Sequence, residues 1–351
     1  MRRLWSLLLV VLLVACSSPA PQASAPASGG VPAALIVGVE GETALKRQGW
    51  RDYAPAMLGT VLRRGDLVRA ATSGKAVVAC SDLSLSELSG GVKGYPCRTE
   101  GPAPIAYQGG LVNATRGDPN ADYPLVLSPR KSKILNDRPL LRWEAYGGAS
   151  SYKVSIQGTG WQTEVGTTEL QYPANAPALV PGQGYRLIVE ADGRSSAEEA
   201  GPGLGFSLLP IAEAEQVRAD EARARALGLG DEATRLLVAN LYAGHQLYAE
   251  ALGVLNDGAA PSQPALARLT GDLYLTVGLV RRAEEAYIAA LGLSTAAGDR
   301  EGQALTERGL ATVYRLLGNA QEADGHFGSA RALFDTLGDR QAVGEIDQAL
   351  K

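Results

Sequence analysis

Histidine, cysteine and aromatic residues are scarce in this sequence, and each scarcity removes a class of chemistry. Two histidines and three cysteines in 351 residues leave little from which to build a metal centre. Neither His245 nor His326 has a Cys or His partner at metal-ligand spacing, so packing or surface roles suit both better. No basic run exceeds three residues and the net charge is −4, which argues against nucleic acid as a partner. No Gly-x-Ser-x-Gly, His-Glu-x-x-His or phosphate-loop pattern occurs. Ser128–Lys131 and Ser150–Lys153 have the Ser-x-x-Lys spacing of acyl-serine enzymes, without the further motifs that chemistry needs. Asp118-Pro-Asn-Ala-Asp122 imitates the start of a calcium loop. A Tyr stands where the turn needs Gly, and Pro129 where the loop needs Glu, so it reads as a linker. The expectation is a noncatalytic protein with no cofactor and no metal.

What is present begins at the N-terminus. Met1-Arg2-Arg3 precedes an apolar run, Leu4 to Ala15, broken only by Ser6. It falls short of the roughly 17–25 residues that a spanning helix needs. A basic start, a short apolar core and small residues at its end describe a secretory signal peptide over 1–15. Leu13-Val14-Ala15-Cys16 resembles the lipobox of bacterial lipoproteins, in which cleavage exposes a cysteine that then carries acyl chains. That resemblance implies lipid attachment at Cys16. It also implies a place in the bacterial cell envelope, at the outer membrane or the outer face of the plasma membrane, since Ser17 is not the Asp that retains such proteins at the inner membrane. Residues 16–30, rich in Ser, Pro, Ala and Gly, bury too little to order themselves and read as a tether. With Cys16 lipidated, Cys80 and Cys97 remain as an even pair in an oxidising compartment. A disulfide follows; two free buried thiols are the alternative.

Charge and composition divide the rest. From Ile211 onward 20 acidic face 13 basic residues, while the preceding part has 17 and 20, so a boundary is expected there. Short alternating segments with Gly turns mark residues 31–110 as a β module. Val37-Gly38-Val39, Arg47 with Trp50, Gly59, Leu62, Gly65-Asp66 and the strand Ala76–Ala79 together resemble a FecR-type domain. That likeness implies a small all-β fold and contact with proteins outside the cytoplasm. Over 123–209, a strand through Trp143 and the alternating Tyr152–Ile156 give a second β unit. The Leu179–Tyr185 spacing around Pro181-Gly182 resembles the fibronectin type III pattern. There a tyrosine hydroxyl bonds back to the preceding loop and a tryptophan fills the core of a β-sandwich.

From residue 211 to 351 the period becomes helical and a repeat emerges. Tyr242, Tyr274 and Tyr314 are each followed nine residues later by Ala251, Ala283 and Ala323, and four further on by Leu255, Tyr287 and Phe327. Gly278 and Gly318 share a place where the first copy has Gln246, and Gly-Asp-Arg recurs at 298–300 and 338–340. The pattern resembles tetratricopeptide repeats, with a leading helix Ile211–Ala226 and a capping helix Arg340–Leu350. The fold expected is thus multidomain: an all-β module, a β-sandwich and an all-α solenoid.

In that repeat family the partner lies across first-helix positions, here Asn240, Arg268, Asp272, Arg308, Thr312 and Arg315. Arg268 and Arg308 occupy equivalent places 40 residues apart and suit a carboxylate; the alternative is that both solvate an acidic surface. The function expected is a lipid-anchored envelope scaffold that binds other envelope proteins through its solenoid. Cell-wall glycan binding through the β domains is the second reading, with Trp50 and Trp161 as its aromatics. An unrecognised envelope hydrolase is the third.

Overall fold

Strands form early in the chain because alternate side chains are apolar and can turn to one face. The structure, a computed structural model, describes residues 34–97, 121–201 and 203–350. The signal segment, Cys16, the whole tether and Asp118–Asn120 lie outside them.

β1 (Ala34–Glu40), β2 (Thr43–Lys46), β3 (Ala54–Pro55), β4 (Leu67–Cys80) and β5 (Leu85–Lys93) make one antiparallel sheet in the order β1–β4–β2–β3. The long β4 pairs with β2 through its first half and β1 through its second, with β5 along the opposite edge. Its ladder to β5 slips between Ala70 and Lys75, and the β1–β2 turn crosses there. A Cβ on Gly74 would stand 2.5 Å from the Glu42 carbonyl oxygen, so glycine alone lets the two backbones approach. Cys80 and Cys97 are joined as a disulfide with Cα atoms 5.6 Å apart. Closing a loop of that length contributes about 3 kcal/mol by restricting the unfolded chain.

The second β region holds β6 (Val126–Ser128), β7 (Ser132–Ile134), β8 (Leu140–Trp143), β9 (Tyr152–Gln157), β10 (Trp161–Val165), β11 (Glu169–Gln171), β12 (Gly184–Ala191), β13 (Arg194–Ser195) and β14 (Phe206–Leu208). One sheet runs β10–β9–β12–β14–β7 with β13 on β12, the other β11–β8–β6. Both contribute to a single core in which Leu141 and Trp143 meet Val154, Ile156, Leu187 and Val189. The Trp143 ring packs edge-on against Tyr152 at 5.7 Å. Tyr185 is buried, and its hydroxyl accepts the Val180 N–H at 2.8 Å, pinning the preceding loop.

Eight helices follow among the described residues: α1 (Ile211–Arg225), α2 (Asp231–Gly244), α3 (Tyr248–Asn256), α4 (Pro264–Thr276), α5 (Val280–Ala296), α6 (Arg300–Leu316), α7 (Ala320–Leu337) and α8 (Arg340–Ala349). Three successive hairpins form, α2 with α3, α4 with α5, and α6 with α7. Ala251, Ala283 and Ala323 are at most 1% exposed, which is what lets each second helix close on its first. The hairpin turns adopt left-handed backbone at Gly278 and Gly318, and in the first hairpin at Gln246, φ +63°. Tyr287 is wedged between two first helices. A Cβ on Gly271 of α4 would come within 2.8 Å of its ring, and one on Gly309 of α6 within 2.6 Å.

The β regions are packed onto the helices from two sides. The first sheet rests on the N-terminal parts of α2, α4 and α6 and on the α7–α8 turn. Gly59 abuts Ala265 and Leu236, and Leu35, Val37, Val61 and Ala79 share a core with α1, α2 and α4. The Arg51 N–H donates to the Leu337 carbonyl at 3.2 Å. The second region docks at the hairpin turns, where Lys133 N–H donates to Gln246 O at 2.8 Å and Arg130 Nε to Val277 O at 2.9 Å.

Gly309→Ala tests the Tyr287 wedge. Helix propensity alone would favour Ala by about 1 kcal/mol, but the clash with a ring held on both sides has no room to relax. A net loss of about 1–3 kcal/mol in urea denaturation is expected, whereas Gly292→Ala, with open space around its added Cβ, should be neutral or stabilising.

Candidate functional site

The first-helix residues separate into an inner cluster and outlying positions. Asn240 is 7% exposed and turns back on its own helix, its Nδ2 donating to Leu236 O at 2.8 Å. Asp272 is buried on α4 and accepts the Tyr287 hydroxyl at 2.6 Å. Burial pushes the Asp272 carboxyl up; Arg268, the Tyr287 hydrogen bond and Arg308 hold it down. The two arginines from α4 and α6 thus both act electrostatically on one buried carboxylate. Arg308 also reaches Glu345 of α8 at 3.5 Å. Thr312, buried, donates to Arg308 O at 3.0 Å. Arg315 lies over the Phe327 ring at 4.6 Å and donates to Ala349 O at 2.8 Å. So Arg268, Asp272 and Arg308 come together, while Asn240 and Arg315 stand apart.

Next to this cluster lies a charged seam between the first sheet and the helices. Arg47, 3% exposed, donates from Nη1 to Asp66 Oδ2 at 2.7 Å and to Val61 O at 3.0 Å, and from Nε to Glu301 Oε1 at 2.5 Å. Burial pushes Asp66 up even though Arg47 pulls it down. Asp299 caps α6 by accepting Gly302 N–H at 2.8 Å; burial raises it, and Gly302 and Arg268 oppose. Trp50 is enclosed in the same seam, its indole N–H donating to Asp339 Oδ2 at 3.4 Å. One of the two tryptophans considered as a glycan platform is therefore interior, and Trp161 leans edge-on against Tyr172 at 4.9 Å.

The remaining sequence candidates have local partners. His326 stacks on Tyr314 and lies 2.6 Å from Glu307, and His245 Nδ1 is 3.6 Å from Glu213. Asp122 accepts the Tyr146 hydroxyl at 2.8 Å. Among the described residues no group of three His, Cys, Asp or Glu side chains converges as a metal site. Lys153 reaches Glu190 at 3.4 Å, so the lysine of the Ser150–Lys153 spacing is engaged elsewhere.

No protein-family model matches the chain, and no curated protein matches it. Among solved structures it is similar to BtubC (BKLC) from P. vanneervenii, at 25% identity over 39% of this chain, with a TM-score of 0.28. The match spans 59% of BtubC. A superposition that loose carries no argument about fold or function.

Three functional-looking groups were invisible in the sequence. Arg47 and Glu301 are 254 residues apart, and nothing local couples them. Arg130, 2% exposed, forks onto the two Glu199 oxygens at 2.6 and 3.2 Å beneath the sandwich. Glu250 on α3 accepts the Leu135 N–H at 2.6 Å with Oε1, while Oε2 is enclosed without a hydrogen-bond partner among the described residues. Burial pushes the Glu250 carboxyl up to about 7, against the opposing Leu135 N–H.

Two measurements follow from these groups. Arg47→Ala strands Asp66 and Glu301 in the seam and should cost about 3–5 kcal/mol in denaturant unfolding. Arg142→Ala, which breaks the exposed pair with Glu169, should cost under about 1 kcal/mol. For Glu250 the folded state keeps a proton that the unfolded chain releases near 4.5. Its contribution is therefore most favourable below 4.5 and declines as pH rises to about 7, by at most about 1.4 kcal/mol per pH unit. Glu250→Gln should flatten that part of the stability–pH curve; an unchanged slope would remove Glu250 as its origin.

Proposed function

We propose that this protein is a lipid-anchored scaffold of the bacterial cell envelope that holds another envelope protein without catalysing a reaction. Cys16 carries the lipid, residues 16–30 form the tether, and a FecR-like module and a fibronectin type III-like sandwich brace a solenoid of the tetratricopeptide type. The Tyr185 hydroxyl bonded back to the Val180 N–H supports the sandwich reading. Small-to-large packing repeated through Ala251, Ala283 and Ala323 supports the solenoid reading.

The observation that carries the functional reading is the convergence of Arg268 and Arg308 on one face of helices held rigidly from two sides. Arg308 keeps 28% of its side chain exposed, close enough to solvent to meet an incoming carboxylate. Rigid presentation favours binding because little ordering remains to be done on association. The first-sheet seam covers the N-terminal parts of the same helices, so the partner's footprint lies toward α6 and α8.

The test captures a partner with the full chain from detergent-solubilised envelopes and measures its affinity for variants. Arg268→Ala and Arg308→Ala should each weaken binding by about 1.5–3 kcal/mol, the scale of a charged hydrogen bond. Arg331→Ala, on α7 in an exposed pair with Asp347, should leave it unchanged. Equal affinity for all three moves the contact off this face. In parallel, Cys16→Ala should abolish labelling by a fatty-acid analogue; continued labelling refutes the anchor. Retention on purified peptidoglycan in place of a protein would transfer the function to the β domains.

A further inference from the structure

A second concave surface, separate from the first-helix face, lies where the outer face of the β9–β12–β14 sheet meets the α2–α3 turn. It is a cleft of about 630 Å³. Lys131, Lys133 and Arg186 line it, and no Asp or Glu among the described residues does. That is unusual for a chain with a net charge of −4.

Arg186 and Lys133 are incompletely neutralised by the protein. Arg186 spends Nη2 on two neutral carbonyls, Ser196 O at 3.1 Å and Glu199 O at 3.2 Å, while the Glu199 carboxylate is already held by Arg130. Lys133 reaches Glu213 only at 3.5 Å, with both side chains 34% exposed. Burial, and then the neighbouring Arg130, pull the Lys131 ammonium down.

Two further features mark the cleft as built for a ligand. Gln246 sits in left-handed backbone where the other hairpins use Gly278 and Gly318. A side chain is held there against its backbone preference, at the rim of the cleft. Neither Gln246 nor Gln157, which also lines it, makes a side-chain hydrogen bond to another described residue, leaving two amides to pair with peptide groups. The floor is smooth because Gly184 and Gly205 take two lining positions. Gly205 is demanded by packing, since a Cβ would stand 2.3 Å from Tyr185 O. Gly184 is not: its backbone is not left-handed and nothing lies within 4 Å of an added Cβ. Its missing side chain leaves open space in the cleft rather than relieving a contact in the fold.

We propose that this cleft binds an acidic peptide segment, its carboxylates seated by Lys133 and Arg186 and its peptide groups by Gln157 and Gln246. A glycan fits less well, because Tyr185 and Phe206 in the lining are 5% and 3% exposed, which leaves the half-buried Tyr248 as the one ring in the lining that reaches solvent.

The experiment is fluorescence anisotropy of the full chain with labelled tetraglutamate, against tetraglutamine, tetralysine, inorganic phosphate and chitotetraose. Tetraglutamate should bind at least about tenfold tighter than tetraglutamine and weaken steeply with added salt. Lys133→Gln with Arg186→Gln should lose about tenfold or more. Gly184→Leu keeps every charge and fills the floor, so it should abolish binding while its melting temperature stays at that of the parent. Arg331→Ala should bind as the parent does. The proposal is overturned if tetraglutamate binds no better than tetraglutamine, or if folded Gly184→Leu keeps full affinity. It is equally overturned if phosphate or chitotetraose competes as well as tetraglutamate.

Discussion

The buried guanidinium of Arg47 is the constraint on which the arrangement of this molecule depends. Its fork holds Asp66 and Val61 O within the first sheet and Glu301 at the start of α6. Taking these charges out of water is costly, and the raised Asp66 carboxyl registers that cost. What the pairing provides is geometric. A planar fork tolerates one orientation of its acceptors, so the sheet can meet the helices in one register. Greasy contact between Leu35, Val61 and the α2 face would permit sliding; the fork does not.

A parallel device fixes the other side. Arg130 forks onto Glu199 inside the sandwich and extends Nε to Val277 O at the end of α4. Around it, backbone atoms of Lys133 and Leu135 bond to Gln246 and Glu250. The helical hairpins are therefore held by one β region at their N-terminal parts and by the other at their turns. Both proposed recognition surfaces, the Arg268–Arg308 face and the cationic cleft, are edges of these two junctions. The cleft draws residues from both the second β region and the helices.

The helical part shows how small and large residues trade places to the same end. Tyr287 needs glycine on both neighbouring first helices, at Gly271 and Gly309, because its ring occupies the volume their side chains would take. Its hydroxyl then ends on the buried carboxylate of Asp272. A position chosen from the repeat as a partner contact is thus spent on internal structure.

Sequence pattern was enough to mark a β-rich region followed by helices, the pairing of successive helices and the Cys80–Cys97 bond. These rest on local patterns: alternation for strands, the nine-and-four spacing for packed helices, and an even count of cysteines. The lipid anchor proposed at Cys16 rests on a linear motif alone. Tertiary structure decided the rest. Trp50 looked like a surface aromatic and is interior, because whether a side chain is exposed depends on what packs against it from 289 residues away. Glu250 and the cleft at Gln246 exist only where a strand meets a helical turn. Charges that make a site converge through space, and spacing along the chain carries no record of that convergence.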